Sequence, residues 1–501
     1  MQSSVRSPVR SAVSEAARSP LDQIAGSAGG GGFTYDFTLQ PTLTALGFVR
    51  TGLATLTNSL GNVAYGPHNL LTDSAMNSSW VKTGGASVAV SYGSVADPNG
   101  NITGATIAWG SASVGAGIYK DVSVSSGLSI TKAIYVRADT AGGTVELVDP
   151  SLTVGSATVT LTTSWQRLSL SETTSGGAGV WLRKTASSPA TVYACWASLN
   201  VGPLQLYIPT TTAAVYLPRI TYHPTTHAAL GLLVEPQATQ LYHSHSLASP
   251  ALVTQNTTVT AQPYTMQFVG SGTVTLSGAH TATVVGLGAG LTKTLTFTPS
   301  AGTLTSTPSG TCDYPQLESG SVATSYLPHS ATSGSLVRTA DIFKITDANV
   351  ASLLGDGSEK TVIVEFVFPV GIVGGPARYP GVFDFKSTST GHNLLLWTNN
   401  NGQIVMGSYD GAPGWERVIG TGFTGGEGVK VAVSFSDAAN AVYGSVNGAA
   451  VVTKAGRNSI APPSEINVGN NYNALLKSTI KSLSSRPTAI TGAALQALSA
   501  L

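Results

Sequence analysis

From Phe33 onward, apolar and polar positions alternate with a period of two rather than 3.6. The runs ITKAIYVRA (130–138), SWQRLSLSE (164–172), TVYACWASL (191–199), KTLTFTP (293–299), KTVIVEFVF (360–368) and VKVAVSFSD (429–437) either alternate or are dense in β-branched and aromatic residues. Gly, Asn, Pro and Asp separate them at short intervals. Many short strands divided by such turns predict sandwiches or barrels, so the fold expected is all-β, with tandem β-sandwich (jelly-roll) modules. Helical spacing is confined to two places. In TGAALQALSAL, Thr491 is positioned to cap a short C-terminal helix whose Leu495 and Leu498 share a face. ANVASLLGDG (348–357) is a second candidate turn of helix. The most apolar stretch, VIVEFVF (362–368), has strand length, and no run approaches the ~18 apolar residues of a membrane-crossing helix.

The first 32 residues do not share this pattern. RSPVRSAVSEAARSP repeats an Arg-Ser-(Pro/Ala) unit and leads into GSAGGGG. Prolines 8 and 20 break helices, and the glycine run is a flexible connector. This reads as a disordered basic tail, or as a docking segment, through Arg6, Arg10 and Arg18, that orders on a partner. It lacks the apolar stretch of a secretory signal, so no export route is expected. Beyond it the chain echoes itself. HNLLTDSAM (68–76) resembles TQLYHSHSL (239–247), and ACWASLNVG…YIP (194–209) resembles TCDYPQLESG…YLP (311–328). The division expected is a tail at 1–32, a β lead-in at 33–67, a sandwich at 68–210, a joint plus a smaller sandwich at 211–340, and a third block at 341–501.

Composition narrows the function classes. Charged residues make up 10% of the 501, against roughly 25% in an average globular chain, with 57 glycines and a net charge of +1. That balance argues against a whole-surface nucleic-acid binder, though not against a local basic patch, and no nucleic-acid partner is expected. The two cysteines, Cys195 and Cys312, form neither a disulfide framework nor a zinc spacing. The segment LPRITYHPTTHAALGLLVEPQATQLYHSHSL (217–247) gathers four histidines beside three prolines. His223 and His227 would share a helix face, but Pro224 disfavours helix at His223. His243 and His245 could share a strand face, with no Cys or Asp nearby to complete a tetrahedral set. No metal and no cofactor are expected. Arg219 and Glu235 are candidates for a structural ion pair, with Gly231–Val234 as a short apolar strand.

Several phrases carry a family resemblance. PRITYHPTTHAALGLLVEPQATQLY resembles a phrase of bacteriophage virion proteins, with an N-x-P-R-F-D-Y-D-P start followed by G-L-L-(I/V)-E-x-Q-x-T-N-L; His223 and Gln240 depart from it. PQLESGSVATSYLP (315–328) followed by SLVRTADIF (335–343) is similar to the Q-L-E-x-G-x-x-A-T-S-Y-(I/L)-P and V-x-R-A-A-D phrases of the same proteins. NLLTDSAMNSSWVKTG (69–84) resembles the opening of their carbohydrate-binding-module-like sandwiches, and the last block resembles their concanavalin-A-like lectin/glucanase domains. The resemblance covers roughly residues 37–501 and implies a virion fibre, spike or decoration, made in the bacterial cytoplasm. It implies a homo-oligomer, a trimer above all, held to other virion proteins through residues 1–32 and adhering to host surface glycans. Two alternatives stay open: a head decoration or tail adaptor without glycan binding, and a polysaccharide depolymerase.

Candidate chemistry is sparse. Glucanases on the concanavalin scaffold place several acids on one strand, whereas VEFVF and FDFK each hold one, Glu365 and Asp384. GLGAGL (286–291) reads as a hairpin loop, not a phosphate cradle. The chain is therefore expected not to be an enzyme. Glycan binding needs only aromatic faces and amide or guanidinium donors. The last block supplies Trp397, Asn399, Asn400, Tyr409, Trp415 and Arg417, with Asn471 and Tyr472 in a further loop. Of these tryptophans, Trp415 in a turn is the better exposed candidate, and Trp397 after Leu-Leu-Leu reads as buried. Trp80, Trp165 and Trp196 lie in strand-like patterns and read as core.

Overall fold

The computed structural model describes residues 33–38, 47–149, 156–346, 359–368, 381–386, 392–399, 401–408, 415–456, 465–468, 470–471, 474–475, 478–486 and 488–501. It is an all-β chain of tandem sandwiches with separate antiparallel sheets. Among the described residues there is one α-helix, Gly492–Leu498. Thr491 stands at its N-cap position in extended conformation but makes no side-chain capping bond, so the helix is held by packing instead. Leu495 is buried and Leu498 partly buried against Ile363, Ala432 and Tyr443. This explains why VIVEFVF is apolar on both faces at its start. Val362, Val364 and Phe366 face the sandwich interior, while Ile363 faces the helix on the outside. Residues 348–357, the other helix candidate, lie outside the described residues.

The first sandwich packs two five-stranded sheets. One runs Gln166–Thr173, Ser129–Arg137, Thr191–Val201, Ile102–Ala108, Ala89–Ala96. The other runs Ala157–Thr160, Thr144–Val148, Ala178–Lys184, Gly117–Val122, Val81–Thr83. Alternate residues of each strand meet in a core that includes Ile107, Trp109, Ile134, Val136, Leu147, Val180 and Leu182. Trp80 is 2% exposed and belongs to this core, as its pattern indicates. The second sandwich is smaller, with sheets of five and four strands around Tyr242, Met266, Phe268, Leu276 and Leu304. Here the expected hairpin at GLGAGL is corrected. Ala282–Val285 pairs with Thr273–Gly278, whereas Gly288–Phe297 pairs with Tyr264–Gly270 in the opposite sheet. Gly286 and Leu287 therefore carry the chain from one sheet to the other.

The third sandwich draws strands from the segments expected as lead-in (33–67) and joint (211–340) as well as from 341–501. Its eight-stranded sheet is built on Ser478–Arg486, which pairs with Glu359–Val367 along one edge. Along its other edge it pairs with Phe33–Asp36 and Ala229–Val234. Arg219–Tyr222 extends the sheet beyond Ala229–Val234, and Phe48–Val49 pairs with Ile342–Thr346 in the facing sheet. Phe37, Phe48, Ile220, Leu232 and Val234 accordingly sit in one core with Phe343, Val364 and Phe383. The segments expected to be lead-in and joint are apolar because the third core needs them.

Where these strands meet the second sandwich lies a buried charge cluster. Arg219, with no exposed side-chain surface, reaches Glu235 Oε2 at 2.8 Å and Asp341 Oδ2 at 2.5 Å. It also donates to Ser325 Oγ at 2.8 Å and to the Thr55 carbonyl at 2.5 Å. Arg338 approaches the same two carboxylates at 3.5 and 3.8 Å. The ion pair expected between Arg219 and Glu235 is present, and it joins segments from four parts of the chain.

Candidate functional site

Of the residues singled out in the last block, the structure describes the positions of Trp397, Asn399, Trp415, Arg417 and Asn471. Trp397 is 2% exposed, its ring packed over Gly407, where a Cβ would stand 2.6 Å from it. As a glycan platform Trp397 is therefore corrected: its ring is turned into the protein. Trp415 opens the strand Trp415–Gly420, half-buried against the third core. Arg417 is exposed beside it and donates to the Glu416 carbonyl at 2.8 Å. Asn399 ends the strand His392–Asn399, and Asn471 lies in a two-residue bridge with Ala474. Asn400, Tyr409 and Tyr472, and the tail arginines Arg6, Arg10 and Arg18, lie outside the described residues.

A different surface brings aromatic rings and guanidinium groups together. It is the outer face of the five-stranded sheet of the first sandwich that contains Ser129–Arg137. On that strand Ile130, Ile134, Val136 and Ala138 point into the core, so Tyr135 and Arg137 point out. The register then sets a row of neighbours. Tyr135 lies between Arg167 and Cys195, and Arg137 lies opposite Tyr193, which in turn faces Thr106. The Arg137 guanidinium sits 4.3 Å from the Tyr193 ring centre and 5.3 Å from that of Trp165. Arg167 lies 5.5 Å over Tyr135. Trp196 stacks on Tyr207 at 5.0 Å with 7° between planes, and Tyr135 meets it edge-on at 5.4 Å. Each of these aromatic and arginine side chains is half-buried, with an edge left to solvent.

Local backbone geometry creates part of this surface. The pairing of Ser129–Arg137 with Thr191–Val201 slips between Ala133 and Tyr135, and Trp196 at the slip takes φ 52°. A bulge of this kind re-aims one side chain, and positive φ is costly for a bulky residue. It turns Trp196 outward beside Tyr135. Tyr207 is fixed from behind by a 2.9 Å hydrogen bond between its hydroxyl and Ser74. Asp139 receives the Tyr193 hydroxyl at 2.5 Å and lies 3.6 Å from Arg137, so one of the two arginines is partly neutralised. Arg167 donates instead to neutral oxygens, Ser198 Oγ at 3.3 Å and the Gln205 carbonyl at 2.6 Å. Its pKa is lowered, by burial first. Trp165 and Trp196 thus do not belong to the core, against expectation. The phase of the strand held the signal: Tyr135 and Arg137 occupy alternate positions opposite Ile134 and Val136. The bulge that moves Trp196 has no signature in the sequence.

The same sandwich has a groove of about 440 Å³ at one end, lined by Asp121, Val122, Ser123, Asp149, Ser175, Gly177 and Ala178. Beneath it the buried Lys132 ammonium holds Asp149 at 2.7 Å and Glu172 at 2.6 Å, tying the two sheets together. Burial raises the pKa of Glu172 in spite of Lys132, and burial followed by the Asp149 charge raises that of Asp121. The histidines have ordinary structural roles. His68 Nδ1 donates to the Gly66 carbonyl (2.8 Å) while its Nε2 accepts the Val201 N–H (2.8 Å), which fixes a neutral ring. His245 packs against Tyr326 with Nδ1 2.7 Å from its hydroxyl. His227 N–H bonds the His223 carbonyl in an exposed turn. Among the described residues no group of three His, Cys, Asp or Glu side chains is placed to hold a metal ion.

The molecule so defined is a set of tandem β-sandwiches, the first with an aromatic and cationic outer face. No family model and no curated protein matches the chain. Its neighbours among solved structures include the carbohydrate-binding module CBM40 of the Ruminococcus gnavus IT-sialidase: 12% identity, TM-score 0.27, 32% of this chain and 92% of that module. The NanB sialidase of Streptococcus pneumoniae matches at 14% identity and TM-score 0.24, and a leech intramolecular trans-sialidase at 15% and 0.24. The matched parts span 26% and 24% of those two enzymes and about 30% of this chain. At these values the likeness is one of β-sandwich fold alone. The expectation that the chain is not an enzyme is withdrawn, since sialidases and a trans-sialidase stand among these neighbours and a likeness of fold assigns no activity in either direction.

Proposed function

We propose that the chain binds glycans through the outer face of the first sandwich, formed by Tyr135, Arg137, Trp165, Arg167, Tyr193, Trp196 and Tyr207. One observation carries this reading: half-exposed rings and two guanidinium groups are held on a single rigid sheet. Rings offer apolar faces for sugar C–H groups, and guanidinium groups offer forked donors to hydroxyls. Tyr135, Tyr193 and Trp196 stand on strands, Trp165 directly precedes one, and Tyr207 is held by its stack on Trp196 and its bond to Ser74, so little ordering cost accompanies binding. The sequence phrases shared with bacteriophage virion proteins support a setting for this activity. In that setting residues 1–32 hold the chain to a particle, and many copies raise avidity for host surface glycans without new contacts.

The test is a glycan array probed with labelled full-length protein. Substituting Trp165→Ala or Tyr207→Ala should weaken each hit about fivefold, from roughly 1 kcal/mol per lost ring contact. Binding that survives both substitutions, but is lost with Trp415→Ala and Arg417→Gln, would move the site to the third sandwich.

A further inference from the structure

The charge on this face is uneven, and the rings form two groups. Arg137 has Asp139 at 3.6 Å, whereas Arg167 has no carboxylate within ion-pair distance among the described residues. Its Nε is also without a hydrogen-bond partner. Arg167 is thus a half-buried cation whose contacts are all to neutral groups: a hydroxyl, a carbonyl and the Tyr135 ring. A cation desolvated in this way favours an anion more strongly than one in open water. One ring group, Trp165 and Tyr193, flanks Arg137. The other, Tyr135 with Trp196 and Tyr207, flanks Arg167. Tyr135 and Arg137 are two positions apart on one strand, so the two groups are offset by about 7 Å along it. That offset is on the scale of one sugar ring.

We propose that the ligand is an anionic oligosaccharide of at least two sugar units, spanning both ring groups, with its acidic group on Arg167. The proposal rests on the glycan reading above and sharpens it in two respects, charge and length. The shared chemistry is an oxyanion that a forked guanidinium can receive, either the carboxylate of a sugar acid or a sulfate ester. Among the described residues the exposed Asp139 lies on the Arg137 side and the buried Asp97 acts on Tyr207, while no carboxylate pairs with Arg167, so repulsion of an anion is least at Arg167.

The experiment uses the full chain on an array that holds neutral, carboxylated and sulfated glycans of one to six units, followed by calorimetry. The probes for calorimetry are a uronic-acid hexamer, a sulfated galactan hexamer, maltohexaose and free galacturonic acid. The expected result is that a carboxylated or a sulfated hexamer binds about tenfold or more tighter than both maltohexaose and the monomer. The carboxylated and sulfated arms identify which oxyanion is read. Arg167→Gln should reduce binding of the acidic hexamer to the neutral level, and Arg167→Lys should restore part of it. Because Arg167 also packs on Tyr135, wild-type binding is measured in parallel at rising salt, where affinity for the acidic hexamer should fall and affinity for the neutral one should not. Equal affinity for neutral and acidic hexamers, a monomer that binds as well as a hexamer, or a salt-insensitive acidic hexamer would overturn the proposal while leaving glycan binding intact. An array without a single hit would remove the glycan reading and this one with it.

Discussion

Replacing Arg219 by methionine keeps most of the side-chain volume and deletes one charge at the buried junction. The wild-type guanidinium serves Glu235 at 2.8 Å, Asp341 at 2.5 Å, Ser325 at 2.8 Å and the Thr55 carbonyl at 2.5 Å. Without it the two carboxylates retain Arg338 at 3.5 and 3.8 Å, distances that give weaker pairing. Breaking a buried pair by removing one partner costs about 3–5 kcal/mol, because the other charge stays buried. Glu235 keeps the Ser325 N–H and hydroxyl at 2.6 Å and Asp341 the Glu235 N–H at 3.0 Å, but both carboxylates lose their closest cation and the Thr55 carbonyl loses its donor, which places the cost near 4–5 kcal/mol on that scale. For a cooperative unit of about 150–250 residues each kcal/mol moves the midpoint by about 2–4 °C, so the expected drop is about 8–20 °C. Differential scanning calorimetry of the full chain reads it. The transition that falls should be the one carrying the second and third sandwiches, while that of the first sandwich stays in place. Adding Glu235→Gln to Arg219→Met should cost less than the sum of the two single changes, since it removes one of the stranded charges. If Arg219→Met melts within about 2 °C of wild type, the cluster carries no net stabilisation and the reasoning fails.

Other outcomes follow from the same physical terms. Burial lowers the pKa of His68 to about 4 and of His245 to about 4, so the folded state holds both neutral while the unfolded chain protonates them near 6.5. The unfolded state therefore binds more protons below 6.5. Stability should be full above that pH and fall, by a quantity on the order of 3 kcal/mol for each ring, as pH drops toward 4; a flat profile over that window would contradict it. Gly231 has φ +120° and a Cβ there would stand 2.3 Å from the Ile480 carbonyl, so Gly231→Ala should cost about 1–3 kcal/mol in a denaturant titration. Gly177→Ala, with open space around it and no positive φ, should cost almost nothing in the same titration. Leu495→Ala should cost about 2–5 kcal/mol and expose the C-terminal helix to protease ahead of the sheet beneath it.

The strands were legible because their apolar positions repeat every two residues and because turn residues cut them. The Arg219–Glu235 pair was legible because an arginine and a glutamate flank an apolar strand in a chain poor in charge. Sheet membership was not legible. Nothing in FTYD or LLV says that these residues pair with Ser478–Arg486, since that pairing depends on a complementary edge hundreds of positions away. The aromatic face was missed for a related reason. The phase of their own strands puts Tyr135 and Tyr193 on the outside, whereas Trp196 leaves the core at a slip that only the pairing of two strands shows.

The strand Phe33–Asp36 finds its partner at Ser482–Ser485, some 450 positions later. On a ribosome the first sandwich can close as soon as its own strands have emerged, but the third must hold its earliest strands unpaired until nearly the whole chain is made. Synthesis therefore imposes an order, and the open edges that wait are the points where neighbouring nascent chains can exchange strands. A fragment beginning at residue 341 starts life without four of the strands that complete its two sheets, Phe33–Asp36, Phe48–Val49, Arg219–Tyr222 and Ala229–Val234.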